Sequence, residues 1–458
     1  MQPMFAVARL TLRAALRYRL VLVLAGLLIA IVVTLPMVLK HDGSAQGFTQ
    51  ILITYTLSSI TAILGLATLW LGCGTLARET EDFTIQLICS KPIPRWQVWM
   101  GKWLGIMGLN LALLTVAGLA VLALLEYKAG SLAPDEQARL RSEVLVARNS
   151  AKEPPPNLDQ AVEKRFQERI QKESLQSMDR DFVRKQIREE LVASLTYLRP
   201  GEVRRWKIPL GTGAAIDLKD IPLYLRTKIY TPDYAGSGAT FEFGWEIGPT
   251  EGHKRQRFRN SFGAESFTTF QIEANHIGSD DTLMVDTVNL GERPVLFSLQ
   301  DGLEVLYPAS SFPWNFGRAL IVIACWLGLL AAIGLCAASK LQFNVAAFVA
   351  CSILLVGLSG GTLKQVIDQG GIIGVSSETG TVTQPTLLNQ ASIKVYGVIK
   401  WTLDQITGAD PIDALSTGRN LTWSRIVLAI FEIVGVGAGF FAALGIWIFT
   451  RRELAAPQ

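Results

Sequence analysis

The chain has 458 residues, half of them apolar and 18% charged, with a formal net charge of +4. The length admits two or three domains, but the apolar residues gather into long runs, which excludes an ordinary soluble globule. Five cysteines and three histidines occur with no CxxC or HExxH spacing, so no metal motif is indicated.

In chain order, the N-terminal segment places Phe5, Ala8, Leu12 and Leu16 on one helical face and Arg9, Arg13 and Arg17 on a neighbouring one. That pattern predicts an interfacial amphipathic helix; the alternative is a basic topogenic tail without lasting structure. Six apolar runs follow: Leu20–Leu39, Ile51–Leu76, Leu104–Leu125, Ala319–Ala338, Leu341–Leu358 and Ile426–Phe449. At about 1.5 Å per residue, each is long enough for a hydrocarbon core of about 30 Å, where only helices satisfy their own backbone. The fifth is the weakest, diluted by Gln342 and Asn344. The first is too long for a signal-peptide core and lacks a clean cleavage site, so it reads as a retained anchor.

Basic residues set the orientation. Arg9, Arg13, Arg17 and Arg19, then Arg78, Lys91, Arg95 and Lys102, then Lys340, then Arg451 and Arg452 fall on one side if six spans are counted. Both termini are therefore expected in the cytoplasm, with the multi-pass chain in the cytoplasmic (inner) membrane and residues 127–316 outside.

That outer region begins with charge-dense helical sequence, broken by the three prolines of "AKEPPPNLDQ". Asn157 with Gln160 then offers a capping box. The helix that follows, to about Leu198, carries roughly one apolar residue per turn, which suits a stalk or a hairpin. The remainder alternates. "TFEFGWEIG" sets Phe241, Phe243, Trp245 and Ile247 against Glu242 and Glu246. About six to eight such runs predict a small antiparallel sandwich. Trp314 and Arg318 read as interfacial anchors. "HKRQRFRN" is the strongest basic cluster; it reads as a solvated hairpin tip or as a surface for lipid headgroups or an anionic glycan, and nucleic acid is not expected outside. A second outer loop, 360–425, has an amphipathic face at Val395, Val398, Ile399, Leu403 and Ile406, lying on the membrane or re-entering it.

"LSGGT" and "GVGAG" resemble nucleotide motifs only superficially: no GxxxxGK[ST] loop exists in the chain, and both sit at or within apolar runs. Two polar residues interrupt the runs. Glu432 and Asn110 each read either as lining a polar pathway or as packing partners of a neighbouring helix.

Between the second and third runs lies "LARETEDFTIQLICSKPIPRWQVWMGKW". Thr80 is placed to cap a short helix, with Glu81 and Asp82 favourable to its dipole. Phe83, Leu87 and Ile88 form an apolar face, and "SKPIP" ends it. Pro94 can open the next helix, with Trp96, Trp99 and Trp103 along one face at interface height. This is a stiff elbow, which transmits force where a Gly/Ser loop would absorb it.

The elbow resembles the cytoplasmic segment of type-2 ABC exporter permeases: Arg78, Glu79, Glu81, Leu87, Ser90, Pro92, Arg95, Gly101 and Lys102 match that pattern. "IWIFTRREL" and "ADPIDALSTGRNLTWSRI" are similar to the same family's C-terminal segments, so the likeness covers a bit over half the chain. The large insertion between the third and fourth runs departs from it. The resemblance implies a permease homodimer or heterodimer embedded in membrane lipids and driven by a cytoplasmic ABC ATPase. ATP and Mg would be bound by that partner, with no cofactor and no catalysis in this chain. It implies an ATPase-coupling interface at Glu79, Glu81, Asp82, Phe83, Leu87 and Arg95.

The expected fold is an α-helical polytopic membrane protein of six transmembrane helices with an inserted extracytoplasmic α+β domain, a helical stalk plus a β-sandwich. Its expected parts are residues 1–126, a stalk over 127–198, a sandwich over 199–316 and the last spans over 317–458. The expected function is export of an unidentified substrate; the alternative is an envelope sensor or ligand-binding protein using the sandwich.

Overall fold

The computed structural model describes residues 2–17, 19–38, 45–89, 92–130, 132–172, 180–231, 240–249, 255–273, 276–299, 302–358 and 411–452. The outer loop expected to be amphipathic or re-entrant lies outside them, apart from its last residues. The chain divides into two compact units, Met1–Ala147 with Ser310–Gln458, and Arg148–Ala309.

The first unit opens with α1 (Gln2–Arg17), α2 (Arg19–Val38), α3 (Ala45–Glu81), α4 (Ile85–Cys89), α5 (Arg95–Ala129) and α6 (Pro134–Arg139). The second holds α7 (Leu158–Lys172), α8 (Arg180–Thr196) and the one-turn α9 (Ala214–Asp217). The chain returns to the first unit with α10 (Phe312–Ala338), α11 (Phe343–Leu358), α12 (Pro411–Ser416), α13 (Trp423–Ala429), a π-helical stretch Ile430–Ala438, and α14 (Gly439–Arg451).

Four helices of the described residues are long and apolar enough to cross a membrane: Gly47–Glu81, Arg95–Ala129, Phe312–Ala338 and Trp423–Arg451. Two shorter apolar helices, Val23–Leu35 and Phe343–Leu355, cover parts of the first and fifth runs. α10 is apolar all round and sits in the middle of the bundle, 78% of its most apolar window being buried. It crosses α3 where neither helix has a side chain: a Cβ on Gly334 would stand 2.9 Å from the Leu69 carbonyl, and one on Gly72 3.2 Å from the Gly334 Cα. α10 also holds the segment before the last span. Asn315, 1% exposed, donates to the Arg419 carbonyl at 2.8 Å and accepts from the Leu421 amide at 2.8 Å. Arg318 donates to the Asn420 side chain and the Leu421 carbonyl, so its guanidinium is held within the protein.

α1 packs on α5 by a face that local sequence does not advertise. Val7, Thr11 and Ala15 are buried, while Phe5 and Leu16 of the expected apolar face are exposed. The cause lies on α5, where Gly101 and Gly105 leave a groove. A Cβ on Gly101 would meet the Met4 carbonyl at 2.7 Å, and one on Gly105 the Thr11 Cβ at 2.7 Å. Helix α1 thus shows three faces: one docked, one apolar and bare, one basic.

The second unit contains three sheets with strand orders β1-β11-β4-β8, β2-β10-β5 and β3-β9-β6-β7. The strands are β1 (Val146–Ala151), β2 (Tyr197–Leu198), β3 (Val203–Pro209), β4 (Leu223–Thr227), β5 (Ile229–Tyr230), β6 (Thr240–Gly248), β7 (Gln256–Gly263), β8 (Thr268–Ile272), β9 (Thr282–Asn289), β10 (Val295–Phe297) and β11 (Leu303–Ser311). The pairings β3–β9–β6–β7, β11–β4–β8 and β2–β10–β5 are antiparallel. Period-two alternation turns Phe241, Phe243, Trp245 and Ile247 into one shared core with Trp206, Phe297, Leu225 and Val305. Trp245 meets Phe270 at 5.3 Å between ring centroids, which joins the two four-stranded sheets face to face. Each such buried aromatic contributes about 1.5–3 kcal/mol.

α7 and α8 pair as a hairpin. Val162, Phe166, Val183, Ile187 and Leu191 fill the seam, and Glu163 with Arg184 and Asp159 with Arg188 bridge it. Of the two arrangements that suit a thin apolar stripe, the structure has the hairpin. Residues 173–179, between the two helices in sequence, lie outside the described residues.

Candidate functional site

The elbow is built by α3 outrunning its apolar sequence. The apolar run ends at Leu76, yet the helix continues through Glu81. Thr80 does not begin a new helix; its hydroxyl donates back to the Leu76 carbonyl at 2.8 Å. The helix closes with the Asp82 amide on the Arg78 carbonyl and the Phe83 amide on the Thr80 carbonyl. Phe83 then takes φ +57°, which turns the chain into α4. A left-handed conformation costs a side-chain-bearing residue about 1–2 kcal/mol, so the turn is strained where it is most exposed. After Pro94 (φ −57°, ψ 136°) the chain enters α5.

Three of the expected interface residues bond to other helices and fasten this elbow, Glu81 while still exposed. Glu79 Oε1 lies 2.6 Å from Lys102 Nζ, and that lysine, 1% exposed, also donates to the Thr75 carbonyl at 2.9 Å. Glu81 Oε1 accepts the Phe343 amide at 2.7 Å, satisfying an orphan donor at the start of α11. Beside it the Arg78 guanidinium stands 4.3 Å from the centre of the Phe343 ring. Arg95 Nη1 donates to the carbonyls of Phe449, Thr450 and Arg452 at 3.0, 2.9 and 2.7 Å. Those are the unpartnered carbonyls at the negative end of α14, where a cation is favourable.

A second layer supports the first. Trp99, fully buried, donates from Nε1 to Ser339 Oγ at 3.3 Å and occupies the space left by Gly445, whose Cβ would stand 2.9 Å from that nitrogen. Trp103 donates to the Gly328 carbonyl at 2.9 Å. Arg452 donates to the Ser339 carbonyl at 3.2 Å; burial pulls its guanidinium below the ordinary value, against the Coulombic support of Glu81. The expected row of interface tryptophans is therefore divided: Trp99 and Trp103 pack within the bundle and Trp96 is exposed.

The other three expected residues face outward. Asp82 is exposed, Phe83 is 54% exposed and Leu87 is 74% exposed, while Ile85 between them is buried and roots α4. The result is an apolar tip with an acidic flank on a base tied to α5, α11 and α14. Sequence reasoning placed Lys102 in the elbow without a partner, and did not single out Ser339, Phe343 or Arg452 as parts of this unit.

Asn110 is 1% exposed, and among the described residues neither its side-chain oxygen nor its nitrogen has a hydrogen-bond partner. Glu432 lies half-buried in the π-helical stretch. Neither belongs to the elbow cluster described above. Among the described residues, no group of three or more His, Cys, Asp or Glu side chains is placed to hold a metal ion.

These features define a membrane-spanning helical protein carrying an antiparallel β unit. No family model, no curated protein and no solved structure matches the chain.

Proposed function

We propose that this chain is the permease subunit of an ATP-driven exporter of the type-2 ABC class, with six spans, both termini in the cytoplasm and the β unit outside. It acts as a homodimer or heterodimer in the membrane, and a separate ATPase docks on the elbow and binds ATP and Mg. The observation that carries this reading is the exposed pair Phe83 and Leu87 on a base held by Glu79, Glu81 and Arg95. An apolar tip costs water exposure unless a partner covers it, and its stiff footing suits transmission of a stroke to three helices at once. In this reading Glu79, Glu81 and Arg95 act behind the contact, while Asp82, Phe83 and Leu87 make it.

The test is co-purification of a Walker-motif ATPase with the native chain and with Phe83→Asp plus Leu87→Asp. The double variant inserts normally and loses the ATPase. Equal recovery with both forms removes the coupling role. Recovery with neither leaves a membrane-anchored ligand-binding protein as the better account.

A further inference from the structure

The face of the β3-β9-β6-β7 sheet turned away from its core carries an ordered set of charges. Register places Arg205 opposite Asp286, Asp286 opposite Glu246, and Glu246 opposite Arg257, one row across four strands. Arg205 binds Asp286 through Nε and Nη2 at 2.7 and 3.0 Å. Arg257 reaches Glu246 at 3.1 Å, and Arg255 reaches Asp286 at 3.1 Å and Glu246 at 3.8 Å. The acids lie low, Asp286 with 10% and Glu246 with 31% of its side chain exposed, while Arg205 and Arg257 stand up at 62% and 77%. The row thus hides its negative charge and presents its positive charge.

The next row is different. It reads Val203, Val288, Gly244, Arg259. Gly244 lets Val288 and Leu290 close over the backbone as an aliphatic floor, since a Cβ there would stand 2.8 Å from Val288 Cγ1 and 3.5 Å from Leu290 Cδ1. Arg259 is exposed and has no ion-pair partner among the described residues; Glu242 follows one row further along β6. Together the two rows line a groove of about 590 Å³ with an aliphatic floor and guanidinium walls.

We propose that this groove binds an anionic polysaccharide, whose acid groups meet Arg257, Arg259 and the free edge of Arg205 while the apolar face of a sugar ring rests over Gly244, Val203 and Val288. Guanidinium forks fit planar carboxylate and tetrahedral sulfate alike. Nucleic acid is the poorer fit, because Trp245 and Phe258 pack their rings on Phe270 in the core, and among the described residues no ring stands on this face for base stacking. A bilayer is poorer too, because among the described residues this face presents Val203 and Leu290 as its exposed apolar side chains, a small patch among arginines. The inference takes from the proposed topology only that this unit lies outside the cytoplasm.

The experiment uses the full chain in lipid nanodiscs and titrates an oligogalacturonate, a heparin-derived oligosaccharide, a neutral dextran oligosaccharide and an oligoglutamate peptide by calorimetry. At least one of the two acidic glycans binds, more weakly as salt rises, and dextran does not. A preference between them identifies carboxylate or sulfate as the favoured group. Arg259→Glu and Val203→Glu, both at exposed positions outside the ion pairs of the charged row, each weaken binding by about tenfold, with unchanged thermal midpoint and unchanged ATPase recovery. The proposal is overturned if neither acidic glycan binds, if both variants bind like the parent, or if oligoglutamate binds as tightly as the glycans. ATPase recovery is read separately, so losing this site leaves the export reading standing and the reverse.

Discussion

Lys102 and Glu79 form an ion pair at 2.6 Å in which the lysine is 1% exposed and the glutamate 32%. The lysine sits on α5 and the glutamate on the end of α3, so the pair pins the two arms of the elbow together. A buried cation without its carboxylate is costly, whereas removing both charges is far less so. Glu79→Gln is therefore expected to destabilise the protein by about 3 kcal/mol, and Glu79→Gln with Lys102→Met to recover most of that loss. Thermal unfolding in detergent of the four proteins of the cycle measures the coupling.

Phe83 holds a conformation that glycine adopts freely. Phe83→Gly relieves about 1–2 kcal/mol of backbone strain and deletes the exposed ring. The expected outcome is a higher thermal midpoint together with loss of the proposed ATPase association. A variant that is more stable and still binds the ATPase would show the ring to be idle.

Much of this arrangement was legible beforehand, and the remainder fails for three reasons. Apolar runs mark α3, α5, α10 and the last span because helix burial and lipid crossing both need length. Alternation in "TFEFGWEIG" marks β6 and its inward face because a strand has a period of two. Thr80 misleads because the same hydroxyl that can cap a new helix can also bond back to the previous turn, and only the continuing helix decides. Arg95, Trp99 and the docked face of α1 mislead because their partners are remote in sequence: the end of α14, Ser339 with Gly445, and Gly101 with Gly105. The two-residue strands β2 and β5 have too few residues to show any pattern.

The groove on α5 makes a sharp prediction for α1. Gly105→Val has no room, because even a Cβ stands 2.7 Å from Thr11 and 2.8 Å from the Ala8 carbonyl. Overpacking of this kind costs about 1–3 kcal/mol. Helix α1 is expected to lift away, and trypsin to cut at Arg9 and Arg13 faster than in the parent, while the β unit keeps its resistance.

Acid is expected to loosen the α7–α8 hairpin. Hydrogen bonds from Gln167 and then Arg184 hold the Glu163 carboxyl below its ordinary value. A folded-state value below the unfolded one adds stability that is present above the unfolded value and lost as pH falls through the folded one. About half of the Glu163 side chain, 49%, is exposed to solvent, so the effect is small. Amide exchange across 158–172 and 180–196 should quicken as pH falls below the carboxylate range, after correction for intrinsic rates. Glu163→Gln should flatten that dependence.

Asn110 offers the test of whether a polar group inside α5 is kept for function. Its amide is 1% exposed, and neither heteroatom has a partner among the described residues. An unsatisfied buried amide costs about 1–3 kcal/mol, more than an aliphatic side chain of similar volume would. Asn110→Leu is therefore expected to raise the thermal midpoint, because it removes that penalty without opening a cavity. If the amide is retained only as a packing defect, transport in reconstituted vesicles is unchanged. On the export reading, the amide is uncovered and used when the spans rearrange, so the stabilised variant transports more slowly than the parent. Stability gained together with activity lost is the outcome expected here, and stability gained with full activity would show that Asn110 has no part in the pathway.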